Sequence, residues 1–136
     1  MNTNNDDSLS GEINSYTRAQ AVADGFLVNV SKTAVKAGIQ YPVFLTRAVY
    51  DQFVTVPPGV DGQNKTGRLW DILWALRAAI LRSRSGCNRL TVELNVRNDN
   101  RAPRLVELIA TCGPLDRNDP RPAISVMLSD ENLGNE

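Results

Sequence analysis

Thr66-Gly67-Arg68-Leu69-Trp70-Asp71-Ile72-Leu73-Trp74-Ala75-Leu76-Arg77-Ala78-Ala79-Ile80-Leu81-Arg82-Ser83 is the longest stretch of regular period in the chain, and the fold turns on how it is read. Leu69, Ile72, Leu73, Leu76 and Ile80 recur at i, i+3, i+4, i+7 and i+11, which is the spacing of one helical face. A helix from about Thr66 to Ser83 follows. Past Ser85-Gly86 the period changes from helical to alternating. Leu90, Val92, Leu94 and Val96 interleave with Thr91, Glu93, Asn95 and Arg97, as a strand with one wet face requires. A turn at Asn98 to Pro103 returns the chain into Leu105 to Cys112, where Val106, Leu108, Ala110 and Cys112 share one register. A longer loop from Gly113 to Pro122 precedes a third alternating run with Ile124, Val126 and Leu128 on one side. The expectation is an α+β fold: a three-stranded antiparallel meander packed on one long central helix.

Upstream, the chain is punctuated in short units. Thr17 is placed to cap a helix through Ala23 that Gly25 ends, and Phe26 to Val30 reads as a short extended segment. Ser31 opens a second brief helix that Gly38 stops, and Tyr41-Pro42 favours extended backbone. Thr46 is placed to cap a third, carrying Ala48, Val49, Phe53 and Val54, which Val56-Pro57-Pro58-Gly59 closes. These short N-terminal helices are expected to cover the side of the long helix opposite the sheet.

The 136 residues suit one domain. Residues 1–15, rich in Asn, Asp and Ser, read as a disordered tail; 16–130 read as the single α+β domain; 131–136 read as a frayed tail. Fifteen basic and fifteen acidic residues balance, which argues against nucleic acid or anionic membrane as a partner. Apolar runs are too short to span a bilayer, and the N-terminus has no signal-peptide pattern, so the expected location is cytoplasmic. There is no histidine, which removes Ser-His-Asp and Cys-His catalysis and the usual zinc sites. No phosphate-binding glycine loop, dinucleotide motif or calcium loop is present. The reading leans away from an enzyme, with no catalytic residue, no metal ligand and no cofactor assigned.

Trp70 and Trp74 lie one turn apart, Leu81 falls on the same side, and Arg77 lies between that stripe and the Leu/Ile face. One reading makes the helix central, with this second apolar side buried under the short helices. The sharper one leaves the stripe exposed for a second copy or another protein, because Trp and Arg are enriched at interface hot spots. Arg68, Arg77, Arg82, Arg84 and Arg89 cluster along the same stretch. They read either as helix-dipole partners or as a local phosphate or nucleic-acid contact. A rival class is a small-molecule binding protein or enzyme with a cleft between the N-terminal helices and the sheet, where Arg47, Tyr50 and Asp71 would be the polar contacts. Cys87 and Cys112 have no CxxC spacing; Cys112, on the apolar register, reads as a buried structural thiol.

Several segments in one order are similar to an uncharacterised bacterial family, a domain of unknown function found in plasmids, phages and other mobile elements. They are Arg18 to Gly25, Tyr41-Pro42-Val43 with Leu45 to Tyr50, Gly67 to Trp74, and Cys112-Gly113-Pro114. The similarity spans about Tyr16 to Asp130. It implies an accessory protein of a mobile gene pool, such as an integron cassette product, and favours a protein partner. It assigns no reaction and no catalytic residue.

Overall fold

A computed structural model describes residues 17–83 and 88–131. The tail expected at 1–15, together with Arg84 and Cys87, lies outside the described residues. In chain order the elements are α1 (Arg18–Ala23), β1 (Leu27–Asn29), α2 (Ser31–Lys36), β2 (Val43–Thr46) and α3 (Arg47–Val49), which runs into a π-helical turn over Tyr50–Val54. Then follow α4 (Lys65–Arg82), β3 (Arg89–Val96), β4 (Arg104–Asp116) and β5 (Asp119–Leu128).

The local punctuation explains these bounds. Thr17 and Gln20 form a reciprocal capping box at the start of α1, satisfying amides that the first helical turn leaves without partners. Gly25 (φ 85°) ends that helix in the left-handed region. Thr46 Oγ1 accepts from the Val49 amide to open α3, and Asn64 Oδ1 accepts from the Gly67 amide to open α4.

Among the described residues the sheet has five strands in the order β1-β2-β5-β4-β3, so the expected three-stranded meander is only part of it. β3, β4 and β5 are antiparallel neighbours as the alternation predicts, but β2 joins the far side of β5 in parallel and β1 pairs antiparallel with β2. The loop expected over Gly113 to Pro122 is also replaced by strand: β4 and β5 continue to Asp116 and Asp119 around a tight turn at Arg117-Asn118. The prolines survive there for a geometric reason. The Cys112 amide donates to Asn88 O, 2.9 Å, on the β3 side. Even positions of β4 therefore turn their nitrogens away from β5, and Pro114, opposite Pro122, forfeits no ladder bond.

α4 covers one face of this sheet and lies closest along β3. Its Ile72, Leu73 and Leu76 are fully enclosed with Val43, Leu45, Val92, Leu108 and Val126 from the strands and Val49 and Val54 from the π-turn segment. On the opposite face Phe44, Ile109, Ala123, Ser125 and Met127 are buried. α1 is tied to that second face: Arg18 places its guanidinium 4.7 Å from the Phe44 ring centroid and donates to Ser125 Oγ and to Leu115 O at 2.7 Å. Asp116 accepts from the Arg18 and Ala19 amides. α1 thus does not close over the outer side of α4, being engaged on the other layer, while the π-turn segment packs beside α4.

Candidate interaction surface

With α4 seated on the sheet through Ile72, Leu73, Leu76 and Ala79, the 100° step of the helix turns Asp71, Trp74, Ala78 and Leu81 outward. Trp74 is 49% exposed and Leu81 68%. Trp70, one turn earlier, is half-buried against the core and meets Trp74 with ring centroids 5.9 Å apart at 53°. Arg77 lays its guanidinium 5.1 Å from the Trp74 centroid. Of the two readings of this stripe, burial between layers holds for Trp70 alone, which packs against the core, while Trp74 and Leu81 are exposed.

Arg77 owes its place to Gly38. That residue ends α2 at φ 89°, and a Cβ built there would stand 3.0 Å from Arg77 Nε. The guanidinium stem therefore rests against a bare turn of backbone, which orients it over Trp74. Tyr41, just beyond that turn, and Val35 within α2 are also exposed.

Of the residues suggested for a ligand cleft, Arg47 and Tyr50 meet, while Asp71 lines a separate concavity. Arg47 donates through Nε to Gly25 O at 2.9 Å, stands 3.6 Å from Asp51, and sits 5.4 Å from the Tyr50 ring centroid; Lys65 Nζ approaches the same ring at 6.0 Å. Tyr50 is thus flanked by two cations, and this is a surface arrangement. Asp71 belongs elsewhere, at a pocket of ≈ 30 Å³ that it lines with Phe53, Arg68 and the end of β3. A second concavity, of ≈ 140 Å³, is bounded by Val96, Asp99 and Arg104. Both fall short of the several hundred Å³ typical of a small-molecule site. Among the described residues no cluster of three or more metal-ligating side chains forms.

The arginine cluster is likewise dispersed. Arg82 is exposed in the last turn of α4, Arg89 begins β3, and Arg77 belongs to Trp74. Arg68 is 4% exposed, the reverse of a phosphate-reading surface residue. Its Nη1 donates to Gln63 Oε1 and Arg97 O, and its Nη2 to Gln52 O and Asn98 Oδ1. All these acceptors are neutral. Burial lowers the Arg68 pKa from its ordinary value and the nearby Asp71 opposes that shift; the group stays a cation. Around it Arg97 donates to Asp99 O and Asn100 Oδ1, and Asn100 donates to Gly59 O. The loops before α4 and after β3 are locked to one another through this array. Its sequence signal was the density of amide and guanidinium groups in Gln63 to Arg68 and Arg97 to Arg101.

Cys112 also departs from expectation, being exposed and free. β4 outruns β3, whose first residue pairs with Thr111, so the thiol stands on the inner register but beyond the covered part of the sheet. No helix among the described residues is long and apolar enough to cross a membrane. Neither a family model, nor a curated protein, nor a solved structure matches this chain.

Proposed function

We propose that this protein is a noncatalytic, cytoplasmic interaction module, an accessory product of a mobile gene pool, that holds a protein partner on the outer stripe of α4 formed by Trp70, Trp74, Arg77 and Leu81. The observation that carries the reading is Trp74: an indole half open to water, backed by Trp70, braced by Arg77 and followed one face-repeat later by an exposed Leu81. Completing the burial of such a ring is worth about 2–3 kcal/mol at ~25 cal/mol per Å² of apolar area. An indole fixed by its neighbours loses little conformational freedom on binding, which is the property of an interface anchor. The partner chemistry that fits is an apolar ridge bordered by carboxylates, which would meet Arg77 and Arg82. The mobile-element context rests on the order of the shared motifs, Arg18 to Gly25 through Cys112-Gly113-Pro114.

The test is a comparison of cross-linked complexes formed in a bacterial host by the parent protein and by a Trp74→Ala, Leu81→Glu variant. A partner that cross-links within residues 70–82 and disappears with the variant supports the reading. A partner set unchanged by both substitutions, in a variant that melts like the parent, overturns it.

A further inference from the structure

A margin of the sheet, apart from the Trp74 stripe, has the makings of a second recognition site. β3 forms one edge, eight residues long, paired along its whole length with β4 and free of proline. The Cys112 amide donates to Asn88 O in the register that sets Arg89 against Thr111. Hydrogen-bonded pairs alternate along an antiparallel ladder, so residues 90, 92, 94 and 96 spend their backbone groups on β4, whereas Thr91, Glu93 and Asn95 turn theirs away from the sheet. All three are exposed, and among the described residues no backbone group bonds to them from beyond the edge. The other margins are blunted: β1 is three residues long, and where β4 outruns β3 its open side carries Pro114. A regular edge as long as β3, with neither proline nor bulge, is a template for a further strand.

The side chains of this rim define what such a strand must carry. On the face under α4, Leu90 and Leu94 pack on the core yet are only half-buried, so apolar area remains to be covered. Asp71 shares its small pocket with Leu94, Asn95 and Val96, and the flank of α4 above the rim therefore continues through Ala75 and Ala78, small residues that leave room for side chains entering beneath the helix. On the other face Glu93 stands directly opposite Glu107 of β4, in a non-hydrogen-bonded pair where side chains approach most closely, and like charges so placed are destabilising. Neither carboxylate has an ion-pair partner among the described residues. A cation beside Glu93 would offset that repulsion. The complement is a strand that alternates apolar residues on one face with Lys or Arg on the other.

Neither end of this chain can supply that cation, because residues 1–16 and 129–136 contain no Lys or Arg. A second β3 does not fit, since α4 lies along β3 and would meet its counterpart before the strands came within ~4.8 Å of one another. An isolated extended segment carries no such helix.

We infer that the β3 edge accepts an extended segment of another protein as a sixth strand beside the five of this sheet, with apolar residues turned under α4 and a Lys or Arg set beside Glu93. The site is separate from the Trp74 stripe, which stays open when the edge is filled.

The probe is a blocked seven-residue peptide alternating valine with lysine, titrated into the isotope-labelled full chain and followed by amide chemical shifts, with the glutamate-for-lysine peptide as its control. Saturable binding tighter than ~1 mM is expected, with shifts centred on Thr91, Glu93 and Asn95 and none from the control. Thr91→Pro removes an amide that no intrachain bond uses, so the variant should melt like the parent and lose the peptide. Glu93→Lys should weaken binding about tenfold in a chain at least as stable as the parent, because Glu107 gains a cation. Trp74→Ala should bind the peptide as the parent does, which separates this site from the helix stripe. Absence of saturable binding, shifts that survive Thr91→Pro, or equal binding of the control peptide overturns the inference. Should Thr91→Pro fail to fold, Glu93→Lys decides alone, and undiminished affinity there overturns it.

Discussion

At the scale of single residues, Arg68 and Trp74 are each other's inverse: a cation enclosed and an indole left out. Arg68 is held by neutral oxygens from three segments, so truncation would strand several buried acceptors at once. Arg68→Ala is expected to cost roughly 2–4 kcal/mol in urea unfolding. Arg68→Lys should recover little, since a single ammonium cannot span the fork. Trp74→Ala should change stability by less than about 1 kcal/mol, against about 2–3 for Trp70→Ala, whose ring meets the core. Equal losses at the two positions would show that the outer ring is structural after all.

Gly38 and Gly25 form a second contrast at this scale. Both have positive φ, but a Cβ at Gly25 meets open space whereas one at Gly38 meets Arg77. Gly25→Ala should therefore cost about 1 kcal/mol of backbone strain. Gly38→Ala should cost more and should also change Trp74 fluorescence, as Arg77 is displaced from the ring; matched spectra would refute the link between turn and indole.

At the scale of elements, α1 is attached mostly by electrostatic bonds. The Asp116 carboxyl is held below its ordinary value, first by the Arg117 amide and further by the amides of Ala19 and Arg18 and the Arg18 charge. A depressed folded pKa contributes stability that is present above the unfolded carboxylate value of about 4 and is lost as pH falls through the folded one. Asp116→Asn should thus lower the melting temperature at neutral pH and narrow the gap to the parent on acidification. A gap that widens in acid would contradict this sign.

How far each element could be read from the chain follows the same physics. α4 and β3 were legible because one face of each is wet, which writes a period into the residues. β2 was not: Val43, Phe44, Leu45 and Thr46 are all buried, and a short run covered on both faces has no alternation to read. The extension of β4 and β5 through Pro114 and Pro122 was hidden for another reason, since proline argues for a loop unless its nitrogen is known to face outward. The tryptophan stripe was visible as an apolar face, but periodicity describes a surface and not what covers it. Arg68 was misread because a helix-start arginine gives no sign that two distant loops close over it.

At the scale of the whole molecule, β5 is the last strand among the described residues yet stands in the interior of the sheet, between β2 and β4. Its parallel union with β2 joins Val43 to Ile124 and Leu45 to Val126, contacts separated by most of the described chain. Such pairings delay folding, because the intervening loop must close before any of them forms. On the ribosome, then, no growing fragment can complete this core: β1–β2 and β3–β4 emerge as two ribbons with open flanks, and the final strand is the keystone that seats between them. A chain that stops between β4 and β5 would carry both ribbons without the strand that joins them.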